Sequence, residues 1–145
     1  VDHQSEPIIG PTITMANNNA MVFEAVRSAS AAVSAYAILE RLRPLHPRIA
    51  PPTIYRALSF LTEHGLVQRI ESLNAYVATD AHKAGPVLFA ICDDCGRVDQ
   101  RDATDDVKRI IQSLAQDGFM STHPVIEMHG RCAPCEQAQH DGKKP

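Results

Sequence analysis

Residues 50–79 read APPTIYRALSFLTEHGLVQRIESLNAYVAT, and the fold follows from how that stretch divides. Pro51 and Pro52 suit a first helical turn, because the N–H groups they lack would have no intrahelical partner there. Gly65 is a natural residue to follow a helix, free to take the left-handed conformation that ends one. Between them, Ile54, Ala57, Leu58 and Leu61 recur at helical spacing and form an apolar stripe. Tyr55, Arg56, Ser59 and Glu63 fall on the other side. Beyond the glycine, VQRIES and AYVAT are two β-rich runs joined at SLN, which predicts a hairpin. Upstream, Asn17 to Asn19 offer N-cap chemistry before a helix carrying Val22, Phe23 and Val26. Ser34 caps another with Ala35, Ile38, Leu39 and Leu42 on one face, and Pro44 and Pro47 end it. Three short helices and a hairpin predict a winged helix-turn-helix over residues 15–79, preceded by a flexible arm at 1–14.

The turn-rich run at 80–86 predicts a hinge, and a second, smaller domain is expected at 87–136. There VLFAIC and RVDQ read as strands, DATDDVKRIIQSLAQDG as a helix with Val107, Ile110, Ile111 and Leu114 on its apolar face, and HPVIEMHG as a third strand. Asp105 and Asp106 suit the positive end of that helix. Residues 137–145 read as a polar, disordered tail. The expected class is therefore α+β: a winged helix-turn-helix followed by a small α/β dimerisation domain with a three-stranded sheet and one long helix. About 50 residues are too few for a comfortable core, so a metal and a partner subunit would both help to stabilise it.

All four cysteines fall in Cys-x-x-Cys pairs, Cys92/Cys95 and Cys132/Cys135, each just after an expected strand. Two such knuckles supply four thiolates to a tetrahedral zinc ion, one per chain, in a site closed to substrate and therefore structural. The 36 residues between the pairs exceed the spacing of a compact zinc ribbon, so the two strands must lie side by side. Two disulfides are the competing reading, disfavoured in a cytoplasmic protein. A thioredoxin-like redox pair would lack its βαβ surroundings. A zinc deaminase is excluded, since Pro134 lies inside its pair and no His-x-Glu precedes it.

The 145-residue chain has no apolar run near the ~18 residues a membrane span needs, and no recognisable secretory signal, so a cytoplasmic protein without membrane contact is expected. Its net charge of −3 is unusual for a nucleic-acid binder. The charge is uneven, however. Residues 1–78 are neutral, with six arginines against six acids, and residues 79–145 carry the excess. The first half can meet double-stranded DNA, with modest phosphate affinity per subunit, which favours a homodimer. On the outward face of the 51–64 helix, Arg56 can fork onto guanine, Tyr55 can stack or reach phosphate, and Thr53 and Ser59 can bond phosphates.

PPTIYRALSFL with ESLNAYV, ICDDCGRV and HPVIEMHGRCAPC resembles the ferric uptake regulator family, and most closely its zinc uptake branch, from about residue 15 to 136. The resemblance implies a homodimeric, metal-linked repressor, not an enzyme, that binds a palindromic operator. It also implies that Tyr55 and Arg56 make key DNA contacts and that the four cysteines hold structural zinc.

That branch is further expected to hold a regulatory zinc between its domains through His, Cys, His and Glu. The matching positions here are Gln68, Thr79, Gly85 and Gln100, none of them a good zinc ligand. A further family site falls on Pro86, Leu88 and Val107, leaving only His123. The remaining hinge-region candidates for a regulatory metal are His82 and Asp80, joined by His123 or His129, with His82 and His123 the pair named for the site, although His129 within its strand reads as a hydrogen-bonded core residue. Two alternatives stay open: a thiol redox-sensing regulator of the same fold, and a regulator that binds DNA independently of regulatory metal.

Overall fold

The computed structural model describes residues 16–79 and 85–142, together with the strand backbone at 8–9 and 13–14. The chain divides into two compact units, Val1–Ala81 and His82–Pro145.

In the first unit, helices α1 (Asn17–Arg27), α2 (Ala35–Leu42) and α3 (Pro51–Glu63) pack around Val22, Ile38, Ile54, Leu58 and Leu61, all almost fully buried. Ser34 caps α2 as its sequence predicts, its hydroxyl accepting from Ala37 N at 3.0 Å. Asn17–Asn19, by contrast, lie inside the first turn of α1, whose N-cap is Ala16 with no side-chain cap. α3 ends in a Schellman motif: Leu66 N donates to Leu61 O at 2.9 Å and Gly65 N to Thr62 O at 3.1 Å, with Gly65 at φ 70°. Leu61 and Leu66 are both buried, so the chain leaves the helix at a fixed angle into β3 (Val67–Ile70). β3 pairs antiparallel with β4 (Ala75–Ala78) through a turn in which Asn74 takes a positive φ. Val33 and Tyr76 exchange backbone hydrogen bonds, which ties the hairpin to the entrance of α2. Ahead of α1, the expected irregular arm contains a short antiparallel pair, β1 (Ile8–Ile9) with β2 (Ile13–Thr14); the rest of the arm lies outside the described residues.

In the second unit, β5 (Val87–Cys92) is the central strand. It runs antiparallel to β6 (Val98–Asp102) and parallel to β7 (Ile126–Gly130), with α4 (Thr104–Gln116) in the crossover. The core is small: Phe89, Ile91, Cys92, Ala103, Val107 and Cys135. Of the expected stripe on α4, only Val107 is buried; Ile110 and Leu114 are exposed. Periodicity identifies an apolar face without saying what covers it. The expected disordered tail is corrected in its first part, because α5 (Ala133–His140) runs through residues 137–140, while 143–145 lie outside the described residues. Pro134 suits its first turn, Glu136 and His140 lie at the favourable ends of its dipole, and the two pair at 3.3 Å.

Candidate metal centre and DNA-reading face

The parallel register of β5 and β7 sets Cys92 beside Gly130, so the two strands end together and each turns into a knuckle. In the first, Cys92 N donates to Arg97 O and Gly96 N to Cys92 O, with Gly96 at a positive φ, and the tight turn brings Cys95 back toward Cys92. In the second, Cys132 is the N-cap of α5 and Cys135 sits within its first turn. The four sulfurs lie within 4.8 Å of one another, and Cys95 and Cys132 are 3.7 Å apart. Tetrahedral zinc with bonds of about 2.3 Å requires sulfurs about 3.8 Å apart, so the donor set and its spacing fit the ion. No disulfide joins the four thiols.

Four thiolates this close repel one another unless a cation sits between them. Backbone N–H groups, that of Cys132 foremost, lower the Cys92 thiol to about 6. The Cys132 side chain raises Cys135, and burial adds to this. For Cys95 the Arg97 N–H pulls downward, but its contacts with the Cys92 and Cys132 sulfurs and burial outweigh it, and the net shift is upward. Zinc with four thiolates carries a formal charge of −2, and Arg97 is the cation that senses the charges of Cys132 and Cys95. Arg131 Nε donates to Asp94 Oδ2 at 2.6 Å, and its Nη1 donates to Glu136 Oε2 at 3.0 Å, so one guanidinium bridges both knuckles. His129 Nδ1 lies 2.7 Å from Asp93 Oδ1. His129 is therefore hydrogen-bonded but exposed, not a core residue. The sequence reading missed the Arg131 clamp; its only signal was charged residues placed next to the cysteines.

Among the described residues, no other candidates for a metal are brought together. His82 and Asp80 lie outside the described residues, and His123 is exposed in the segment before β7. Among the described residues, the four cysteines are the only group of three or more His, Cys, Asp or Glu close enough to share an ion. The positions matching the family's regulatory ligands have other local roles. Gln68 lies on β3 opposite Val77, and Gln100 on β6 opposite Phe89. The Thr79 hydroxyl donates to Gly65 O, and its N–H to Leu66 O at 3.0 Å. A Cβ on Gly85 would collide with the Thr104 hydroxyl and come within 3.1 Å of the Thr104 Cβ. Thr104 is itself held by Asp102 Oδ1, which accepts from its N–H at 2.9 Å and its hydroxyl at 2.6 Å. These residues do not fit a second zinc.

On α3, Ile54, Ala57, Leu58 and Leu61 are buried while Tyr55, Arg56 and Ser59 are exposed and Thr53 is half-buried. Arg56 Nε reaches only the Pro52 carbonyl, at 3.4 Å. Its guanidinium makes no ion pair among the described residues.

A winged helix-turn-helix linked to a four-cysteine α/β unit defines a class of metal-containing DNA-binding transcription regulators. A sequence model described as the ferric uptake regulator family matches residues 15–129, and the chain belongs to that family. It is 43% identical over 123 residues to the zinc uptake regulation protein of Escherichia coli K12, covering 76% of this chain and 71% of that one. Among solved structures it resembles a zinc uptake regulator complexed with zinc and DNA, with TM-score 0.81 and 37% identity over 88% of this chain and 87% of the other. It also resembles the holo form of XcZur, with TM-score 0.79 and 34% identity over 87% and 89%. Among the described residues, no helix is long and apolar enough to cross a membrane.

Proposed function

We propose that the chain is a cytoplasmic, homodimeric repressor that reads a palindromic operator with Tyr55, Arg56, Thr53 and Ser59, and that one structural zinc per chain is held by Cys92, Cys95, Cys132 and Cys135. The observation that carries this reading is the two-sided character of α3, whose apolar stripe is buried while its polar face stays open. The dimer is supported by the second unit's unpartnered apolar surface: Ile110, Phe119, Met120, Val125 and Met128 are each more than half exposed on a unit with a small core. The test is selection of a binding site from random duplexes, followed by footprinting. A dyad-symmetric footprint is expected. Failure to bind duplex DNA, or a footprint without dyad symmetry, overturns the reading.

A second reading concerns control. The Thr79 hydroxyl is engaged by Gly65, Gly85 has no room for a side chain beside Thr104, and Gln68 and Gln100 are poor ligands. These observations favour DNA binding that does not depend on a second metal. About one zinc per chain should survive mild chelation, with operator affinity nearly unchanged. Two zincs and a tenfold or larger response to added zinc would reject this version and would return His82 and His123 to consideration.

A further inference from the structure

The arginines of the first unit are not equivalent once their partners are counted. Arg27 pairs with Glu24, Arg43 with Glu40 and Arg69 with Glu71, so these three charges are neutralised locally. Arg41 donates to Ala25 O at 3.4 Å, and Arg56 to a carbonyl of its own helix. Arg48, exposed in the turn between α2 and α3, makes no side-chain hydrogen bond or ion pair among the described residues. It borders a groove of about 480 Å³ whose polar lining includes Asn18, His46 and Thr53, with Met21 and Ile49 as its apolar floor.

This groove lies at the start of α3, where a helix ordinarily offers free backbone N–H groups to an anion. Here that offer is withdrawn. Pro51 and Pro52 occupy the first turn and have no N–H, and Thr53 N is already bonded to Ala50 O at 3.0 Å. An anion held at this end must therefore be held by side chains, and the groove supplies them as donors without a nearby carboxylate in its lining.

From this we infer that Arg48, with Asn18, His46 and Thr53 around it, grips a phosphodiester of the DNA backbone and thereby sets the depth and register of α3. This rests on the proposed function, since it needs a duplex lying along α3. Its role differs from that of Arg56: a phosphate contact positions the protein and is blind to sequence, whereas a base contact selects.

The experiment uses the intact chain with Arg48→Gln, Arg48→Lys and Arg56→Gln, titrated with salt on a selected operator and on a non-operator duplex of equal length. Arg48→Gln should weaken both duplexes by the same factor and reduce the slope of log affinity against log salt by about one per contact. Arg48→Lys should keep most of the slope. Arg56→Gln should lower operator binding selectively. An unchanged slope in Arg48→Gln, or a loss confined to the operator, overturns the inference while leaving the proposed function standing. Failure of the unaltered chain to bind either duplex overturns both.

Discussion

Arg131 Nε meets Asp94 Oδ2 at 2.6 Å although 37 positions separate the two residues, and this bond fastens one cysteine knuckle to the other. With Glu136 on the same guanidinium, the clamp holds the sulfurs' backbones in register before any ion draws them together. Neighbours of a metal's ligands typically change its affinity by about 10–100-fold. Arg131→Gln should lower zinc affinity by that order while leaving all four ligands in place. Competition against a chromophoric chelator measures it, and an unchanged affinity would show that the clamp is incidental.

Cys132→Ser removes a sulfur that stands 3.7 Å from Cys95 and begins α5. Because structural zinc supplies roughly 10 kcal/mol or more of apparent binding free energy, much of it coupled to folding, the second unit should melt or the protein become monomeric. Circular dichroism with sedimentation reads both. A normally folded dimer would refute the structural role.

Zinc uptake by the reduced site should displace fewer than four protons per ion near neutral pH. The Cys92 thiol is lowered to about 6, so it is already ionised there, and the hydrogen bonds that favour its thiolate are lost as pH falls through that value. Zinc binding should accordingly strengthen as pH rises. Calorimetry in buffers of different ionisation enthalpy counts the protons, and a count of four would show that Cys92 is not ionised in advance.

Ile110 and Phe119 are each more than half exposed, so an aspartate at either position disturbs little within the chain. In a dimer that covers them it would leave a buried charge without a partner. Ile110→Asp or Phe119→Asp should weaken association by about 2 kcal/mol or more, as central interface residues do, with the melting of the isolated first unit's signals unaffected. Sedimentation equilibrium decides, and an unweakened dimer would place the interface elsewhere.

Arg56→Ala should cost about 1–3 kcal/mol of operator affinity and relax the preference at one base position. Equal losses on all sequences would reassign Arg56 to the backbone. A fast release of zinc by peroxide, by contrast, would favour the redox-sensing alternative, in which exposed Cys95 is the thiol first reached.

The first unit was largely legible because its signals are local. The stripe of Ile54, Ala57, Leu58 and Leu61, the Ser34 cap and the Gly65 stop each act within a few residues, and each takes its expected form. The second unit was legible only in its pairs of cysteines and its succession of elements. Whether Ile110 and Leu114 face a sheet or open space depends on packing remote in sequence, and periodicity carries no such information. α5 was hidden for a related reason: its residues are polar and have a weak apolar stripe, and its start is set by Cys132 in the knuckle and by Pro134. The Arg131 clamp joins residues brought close only by the parallel strands, so no local pattern announced it.

The placement of β5 beside β7 has a consequence for how the chain is made. One cysteine pair leaves the ribosome 36 residues before the other is synthesised, and a cradle of four sulfurs exists only after β7 has been added next to β5. Any nascent or prematurely terminated product ending before Cys132 has half a cradle and cannot enclose the ion. Enclosing a metal therefore requires translation to have reached Cys135, and a copy that stops short of it lacks part of the four-sulfur cradle.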